Sequence, residues 1–340
     1  MTVTERPASP PWPSAPGPDA DVDARLAWYA AVARWAPSKH NAQPWRFVVR
    51  DHFLEVWADP MRSLPATDPH RRELTIACGA AVHLACVAAR AIGHQPVVAL
   101  LPLGGGSLLA RIAEAGPWMT TELDRRTLTL VPLRRTDRGP LDKGALSPGV
   151  AFALQSAAET EGASLRLLKT PGERATFASM VLRADRQLVR NPRADEELES
   201  WLRERGDRRS DGVPADHTRG AAASYRAEFV QRDFSSQHSS AAQNRSGPDD
   251  PLVGLLLTPG DDAVDWLIAG RALAATLLQA AASGASSSYL NQPIEETGIR
   301  IELREQLVLS GYPQLGLRIG IGGDVTAPPR RASNELVFRM

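Results

Sequence analysis

Residues 37–47 read PSKHNAQPWRF and join a helical pattern over residues 21–35 to a β-rich stretch over residues 46–50. Prolines near both ends keep this segment out of helix. Between them, five of six positions carry polar side chains. A plain helix-to-strand connection needs only one or two such groups, so we expect a stiff, donor-rich loop that suits the rim of a flat heterocycle. Its candidate binding residues are Pro37, Ser38, Lys39, His40, Asn41 and Gln43.

Helices and short strands alternate outward from this loop. A second strand is predicted over residues 53–57, and a long alanine-rich helix over residues 72–92 that is closed by Gly93. Two further strands are predicted over residues 97–101 and 107–112. The first half of the chain is therefore predicted to mix helices with short strands.

The second half repeats this order of elements. Its predicted helices and strands cover residues 146–160, 164–168, 252–257 and 264–283. The spacing from Gly79 to Gly93 in the first long helix equals that from Gly270 to Gly284 in the second, fourteen residues in each case. Two alanine-rich core helices can look alike by chance, but a repeat of this kind changes the fold assignment. We expect a duplication.

The duplicated halves are predicted over residues 21–130 and 131–340. Residues 170–250 of the second half have no counterpart in the first. This segment opens with the densest charge in the chain and continues as a run rich in serine, glutamine and asparagine. Loops of this length are usually functional lids or disordered excursions. We expect a lid-like insertion.

Composition limits the class of protein. Among 340 residues, 39 Lys and Arg balance 39 Asp and Glu, 43% are apolar and 23% charged. Without a bulk basic field, neither nucleic acid nor a membrane surface is an expected partner. Residues 1–20 are proline-rich and lack the apolar core of a signal peptide, so they are predicted to be a disordered tail.

The two cysteines point to a reducing compartment. Cys78 and Cys86 lie eight residues apart in a predicted helix, which separates them by about 12 Å. A disulfide needs Cα atoms within about 7 Å. Two buried thiols in the cytoplasm are therefore expected.

Familiar catalytic patterns are missing from the sequence. The seven histidines form no HExxH or HxxxH pattern, no GxSxG elbow occurs, and no GxGxxG leads from a strand into a helix. These absences argue against a metal site and a Rossmann enzyme.

The pattern PSxxNxQPWxF at residues 37–47 resembles a loop of the FMN-dependent nitroreductase superfamily. The run RRTDR at residues 134–138 is similar to the RRSxR signature of that superfamily. The resemblance implies that Arg134 and Thr136 bind the FMN phosphate and ribityl chain, with Arg135 beside them, and that Arg138 faces N1 and O2 of the ring. It also implies an α+β fold with mostly antiparallel central sheets flanked by helices.

Three later segments resemble the same superfamily in the same order. Residues 311–313 read GYP, like its closing motif. Arg330 and Arg331 resemble its phosphate clamp, and always-charged, bidentate arginines suit a phosphate. The remaining match consists of Pro293, Ile294, Glu295 and Glu296. It implies that a backbone amide around Glu295 and Glu296 lies near flavin N5.

One departure from the superfamily is informative. Its usual members are homodimers with two flavins, each held by RRSxR from one subunit and the QPW loop from the other. Here the first half has only the QPW loop, and the second half has only RRTDR. The chain therefore resembles a fused pseudo-dimer with one flavin site and a lid insertion, as in the Acg-type branch. A monomer or a weak homodimer is expected.

Two functions of different classes follow from the resemblance. The first is an FMN oxidoreductase that passes hydride through flavin N5 from NAD(P)H to a nitroaromatic, a quinone or a similar small acceptor. No catalytic side chain is needed there, because the cofactor does the chemistry. The second is a flavin-binding protein whose lid shields FMN without turnover. A third, an FMN oxidase, shares the fold but is selected by nothing in the sequence.

Overall fold

Two long helices link the cores of two β-sheets. This arrangement is seen in a computed structural model that describes residues 11–144, 146–204, 207–214, 228–229, 249–323 and 325–339. One sheet has five strands and the other has four. The chain is thus α+β, with mostly antiparallel sheets flanked by helices, and this sequence-based prediction is confirmed.

The first half supplies one sheet and its helices. Its elements are α1 (Val22–Ala33), β1 (Trp45–Arg50), β2 (Phe53–Ala58), α2 (Arg72–Ala91), β3 (His94–Leu100), β4 (Leu108–Pro117) and α3 (Glu122–Leu130). The β1–β2 hairpin turns at Asp51 and His52, whose φ angles of 50° and 59° are those of a two-residue type I′ turn.

The second half supplies the other sheet. Its elements are α4 (Val150–Thr160), β5 (Ser164–Leu167), α5 (Pro171–Val189), α6 (Pro192–Trp201), β6 (Leu202–Arg203), β7 (Val213–Pro214), β8 (Leu252–Thr258), α7 (Ala263–Ala282), β9 (Ser286–Tyr289), α8 (Gln292–Glu295), α9 (Thr297–Gln306), β10 (Tyr312–Gly320) and β11 (Val337–Arg339).

The two sheets have the same topology. Apart from the additional second-half elements α5, α6, β6, β7, α8 and α9, each half runs helix, two strands, long helix, two strands. The strand order β1-β2-β4-β3 in the first sheet matches β5-β8-β10-β9 in the second. All these pairings are antiparallel. The C-terminal strand β11 crosses to the first half and pairs in parallel with β1, Phe47 opposite Val337. The chain end therefore fastens one half to the other.

Glycines at matching positions bring α2 and α7 into backbone contact. A Cβ atom on Gly270 would lie 1.9 Å from the Ile76 carbonyl oxygen and 2.8 Å from the Cα of Gly79. A Cβ atom on Gly79 would lie 2.2 Å from the Leu267 carbonyl oxygen. Neither position accepts a larger side chain unless the helices separate.

Each long helix contributes to the core of the opposite half. Leu267, Ala274 and Leu278 of α7 are buried in the first half's core, and Ile76 of α2 is buried in that of the second. Helix α2 is long and apolar enough to cross a membrane by length and composition, but 89% of its most apolar stretch is buried inside the structure. Such burial is typical of a core helix.

The N-terminal tail is packed where the structure describes it. Trp12 contacts Trp35, with ring centroids 5.6 Å apart, and the Trp28 indole donates to the Pro13 carbonyl oxygen at 3.2 Å. The prediction of a disordered tail over residues 1–20 is therefore corrected for residues 11–20, because an aromatic anchor outweighs the proline-rich composition. Residues 1–10 lie outside the described part of the chain.

The predicted lid-like insertion, residues 170–250, begins in the core. Phe177, Met180 and Val181 of α5 are at most 2% exposed, and they cover the face of β8 that carries Val253 and Leu255. Helix α5 therefore belongs to the frame of the second sheet, and any lid must begin after it. Residues 205–206, 215–227 and 230–248 of the predicted lid lie outside the described residues.

Substitution of Gly270 tests the helix contact. We expect Gly270→Ala to lower the free energy of unfolding by about 2 kcal/mol or more, because the added methyl group meets backbone atoms of α2. The matched control is Gly172→Ala in α5, where a Cβ meets no heavy atom within 4 Å and stability should hold or rise by about 0.5–1 kcal/mol. Denaturant unfolding measures both, and equal stabilities would contradict the close contact.

Candidate functional site

A cavity of about 170 Å³ lies between residues of the two halves. Its walls include Ile76 and Ala77 of α2 and Leu273 of α7, about one turn from the glycine contact. The cavity thus lies beside the helix crossing. Ten of the sixteen residues proposed from the sequence line it: Pro37, Ser38, Lys39, His40, Asn41, Arg134, Thr136, Arg138, Glu295 and Arg330.

The donor-rich loop takes a strained backbone path along one wall. Residues Lys39–Asn41 form a single 3₁₀ turn, and His40, Asn41 and Gln43 have φ angles of 51°, 55° and 51°. Non-glycine residues in this region are uncommon and tend to mark ligand clamps. The Ser38 hydroxyl accepts from the Gln43 amide at 2.9 Å, so the loop closes on itself.

Asn41 joins the loop to the chain ahead of the C-terminal strand. Its side-chain amide donates to the carbonyl oxygens of Pro329 at 3.0 Å and Gly212 at 3.1 Å, and its Oδ1 accepts from Arg330 at 3.0 Å. A single side chain therefore connects three segments around the cavity.

Residues 207–214, here called the strap, run across the cavity. Gly212, Val213 and Pro214 line it, and the Gln43 side chain donates to the Ser210 carbonyl oxygen at 2.9 Å. Asp211 holds the strap in place by accepting from two arginines. One is Arg62 of the first half at 2.9 Å, and the other is Arg203 at 2.8 Å.

Buried arginines occupy one end of the cavity. Arg134 and Arg330 are 6% and 2% exposed, and within the described residues no carboxylate lies in ion-pair distance of either. Arg134 donates only to the Trp35 carbonyl oxygen, at 3.4 Å, and the Nε of each arginine has no hydrogen-bond acceptor there. Burial, and then the neighbouring cations Arg134, Arg135 and Arg34, lower the pKa of Arg330 well below its usual value.

Buried cations without an anionic partner are costly to maintain. The free-energy penalty for an uncompensated buried charge amounts to several kcal/mol. A bound anion would remove that penalty and accept hydrogen bonds from the Nε–H groups of Arg134 and Arg330. This end of the cavity is therefore built to hold an anion.

The RRTDR segment is fastened to the edge of the second sheet. Thr136 forms a β-bridge with Ser287 of β9, and the Asp137 amide donates to the Ser287 carbonyl oxygen at 2.8 Å. Asp137 is fully buried and accepts from the amides of Gly139 and Gly323. These bonds fix the segment from which Arg134, Thr136 and Arg138 reach the cavity.

A charged cluster occupies another part of the wall. The Lys39 ammonium lies 2.6 Å from Glu73 Oε2 and 3.0 Å from Glu295 Oε2, and it donates to the Thr67 carbonyl oxygen at 3.1 Å. The three charged side chains are at most 10% exposed. The cavity is thus bordered by buried arginines and by a buried carboxylate pair bridged by lysine.

Six proposed residues do not line the cavity. Arg331 instead supports the loop: its backbone amide donates to Gln43 Oε1 at 2.9 Å, and its guanidinium donates to the carbonyl oxygens of Gln43 and Glu335. The prediction that Arg331 clamps a phosphate directly has no support from this geometry. The six are Gln43, Arg135, Pro293, Ile294, Glu296 and Arg331.

Several lining residues were missed from the sequence. Glu73 stands in the first turn of α2, where an acidic residue is favoured by the helix dipole alone, so its position carried no distinct signal. Asn291 and Gln292 immediately precede the recognised 293–296 motif, and that proximity was the available clue. Tyr289 is the last residue of β9, a strand that the sequence analysis did not predict.

Comparisons with known proteins decide the family. A Mycobacterium tuberculosis protein whose provisional name is NAD(P)H nitroreductase is 31% identical over 326 residues, which cover 94% of this chain and 92% of that protein. The chain belongs to the nitroreductase family. No family model matches it.

Other relatives of this nitroreductase-family chain are more distant. A second M. tuberculosis protein, provisionally named NAD(P)H nitroreductase acg, is 28% identical over 295 residues, 86% of this chain and 88% of that protein. The crystal structure of a Desulfitobacterium hafniense nitroreductase with bound FMN aligns with a TM-score of 0.36 and 13% identity, over 63% of this chain and 97% of that one. That likeness is too low for sites to be compared.

The cost of the buried cations is measurable in ligand-free protein. In buffer without phosphate or sulfate, Arg134→Met should raise the free energy of unfolding by about 1 kcal/mol or more, because it removes an unpaired buried charge. The matched control is Arg318→Met. Arg318 is fully buried and pairs with Asp249, so its loss should cost about 2 kcal/mol. Equal destabilisation of both variants would show that Arg134 has a counter-ion.

Proposed function

We propose that this chain is an FMN-dependent oxidoreductase that carries hydride from NAD(P)H to a small acceptor such as a nitroaromatic or a quinone. The observation that supports this most directly is the pair of buried arginines, Arg134 and Arg330, without carboxylate partners beside a strained, donor-rich loop. A phosphate group, with a charge of about −2, fits that end of the cavity. Membership of the nitroreductase family supports the redox chemistry.

In this proposal, different side chains bind different parts of FMN. Arg134 and Arg330 would hold the FMN phosphate, and Thr136 the ribityl chain. Arg138 would face the ring edge where negative charge gathers on reduction, which favours reduction. Bound FMN supplies the hydride chemistry, whereas the protein positions the ring and controls access to it.

The remaining proposed contacts come from backbone and loop groups. The loop from Pro37 to Asn41 would border the ring, and the backbone around Glu295 and Glu296 would approach N5. Glu295 lines the cavity through its place at the end of α8. No side-chain nucleophile or metal is required, and the described residues contain no group of three or more His, Cys, Asp or Glu side chains able to hold a metal ion.

We further propose a fused pseudo-dimer of the Acg type with one FMN per chain. The matching strand orders of the two sheets support the duplication. The halves differ in the length of the connection from the first helix to the first strand. Eleven residues, 34–44, connect α1 to β1, but only residues 161–163 connect α4 to β5. The second connection is too short to build a second donor-rich loop.

Internal pairing has consequences for assembly. The contact between the halves occupies the surface through which separate subunits would pair, so we propose a monomer or a weak homodimer that uses another face. Cys78 and Cys86 are buried and free, in keeping with the reducing cytoplasm that we propose for this protein.

The strap supports a second candidate function, a flavin-sequestering protein with little turnover. Gly212 exchanges hydrogen bonds with Asn41, and Asp211 ties the strap to Arg62 of the first half. A cover held by these bonds would limit the approach of a nicotinamide. Anaerobic mixing of the FMN-loaded protein with NADPH or NADH separates the candidates, since only an accessible flavin loses its visible absorbance.

Titration with FMN and riboflavin tests the proposed phosphate site. Arg134→Met should weaken FMN binding by about 1.5–3 kcal/mol, the range for a charge-assisted hydrogen bond, and leave riboflavin binding nearly unchanged. Arg331→Ala, which disturbs the loop, should weaken both ligands alike. Calorimetry of apo-protein measures the four affinities. If Arg134→Met lost equal affinity for FMN and riboflavin, the phosphate would not bind at this end of the cavity. If wild type did not bind FMN, the proposed function would be wrong.

Substitution of Asp211 tests the strap. Asp211→Asn should speed reduction of bound FMN by NADPH about tenfold, as expected from the loss of about 1.4 kcal/mol of closing energy. Asp207→Asn is the matched control, because Asp207 pairs with Arg209 within the strap and is not among the described residues that line the cavity. Stopped-flow absorbance measures the rates. An unchanged rate in Asp211→Asn together with slower acceptor turnover would instead make the strap a substrate contact.

A further inference from the structure

Glu73 is a charged residue of the cavity wall to which the proposed FMN contacts assign no role. It stands in the first turn of α2, is 6% exposed, and lines the cavity. Its Oε2 atom lies 2.6 Å from the Lys39 ammonium, which also lies 3.0 Å from Glu295 Oε2. Two buried carboxylates therefore share one ammonium.

Charged groups from several elements face this cluster. Arg72 of the same helix lies 3.7 Å from Glu73 Oε1 but donates its close hydrogen bonds to Gln314. Asn291, ahead of α8, donates weakly to Glu73 Oε1 at 3.4 Å. Within the described residues, the charged groups that act on Glu73 are Lys39 from the loop, Asp68 ahead of α2, Arg72 at its start, Glu295 from α8, and Arg300 from α9, which pairs with Asp261.

The surroundings leave Glu73 only partly compensated. Burial has the largest effect on the pKa of Glu73 and raises it. The negative charges of Glu295 and Asp68 raise this pKa further, whereas the positive charges of Lys39 and Arg72 lower it. A negative charge added to the cavity would raise the affinity of Glu73 for a proton again, because charges interact strongly in a poorly solvated site. Glu73 is thus placed to bind a proton when the cavity gains electrons.

We propose that Glu73 is the proton-holding group of the cavity: it binds one proton when the bound flavin gains two electrons, and gives that proton to the acceptor. The inference rests on the proposed FMN function. Bound FMN would supply the hydride chemistry, and Glu73 would take one proton from solvent as the flavin is reduced. On a quinone acceptor, one O–H bond would form with the hydride released from the flavin N–H bond, and the second O–H bond would form as the Glu73 O–H bond breaks. Glu73 returns to the carboxylate, and NAD(P)H restores the electrons.

The pH dependence of the flavin reduction potential tests this assignment without an activity assay. At pH values between the pKa of Glu73 in the oxidised protein and its pKa in the reduced protein, two-electron reduction of FMN-loaded wild type should take up about one proton more than reduction of the Glu73→Gln variant. For a two-electron couple that proton steepens the slope by about 30 mV per pH unit. Equilibration with reference dyes measures both slopes.

Two further variants assign the proton. Glu114→Gln is the matched control, since Glu114 is a partly buried carboxylate held by Arg25 and Tyr29 outside the cavity, and it should keep the wild-type slope. The proposal is overturned if Glu73→Gln keeps the wild-type slope, or if only Glu295→Gln removes the extra proton.

Measurements on wild type cover the other outcomes. A wild-type slope no steeper than that of free FMN at every pH overturns the proposal even if Glu73→Gln does not fold. Failure of wild type to bind FMN appears in the titration that precedes any potential measurement, and that result would reject the proposed function and not the role of Glu73 alone.

Discussion

The backbone contact between Gly79 and Gly270 is the constraint on which the site depends. It sets the separation of α2 and α7, and each helix then contributes apolar side chains to the core of the opposite half. Ile76 and Leu273, one turn away, form part of the cavity wall. A wider helix crossing would therefore move the donor-rich loop of one half away from the RRTDR segment of the other.

Charge separation inside the cavity follows from this arrangement. The second half and the C-terminal segment bring the buried arginines, while the start of α2, the loop and α8 bring the carboxylate pair with Lys39. An anionic group is favoured at the first position and disfavoured at the second. A ligand with a phosphate on a flexible chain and a flat ring therefore has one favourable orientation.

The sequence was sufficient for the loop and most elements of the first half, because alternating strands and alanine-rich helices are local signals. Helix α3 was missed because none of its residues is buried, so it lacks the apolar pattern of a core helix, although Thr121 and Asp124 form a capping box at its start. The role of α5 depends on covering β8, which is a tertiary relation. Arg134 and Arg331 are equally plausible as sequence letters and both are buried. Only their positions in the structure separate them, since Arg134 lines the cavity whereas Arg331 donates hydrogen bonds to the loop.

The central claim is that both halves of one chain form a single FMN site. The most direct measurement is the amount of flavin released by heat per chain, taken with the mass of the FMN-loaded protein in solution. The account predicts one FMN per 340-residue chain, retained when the protein is diluted to monomer. Two FMN per chain, or flavin that is lost whenever a dimer dissociates, would contradict it.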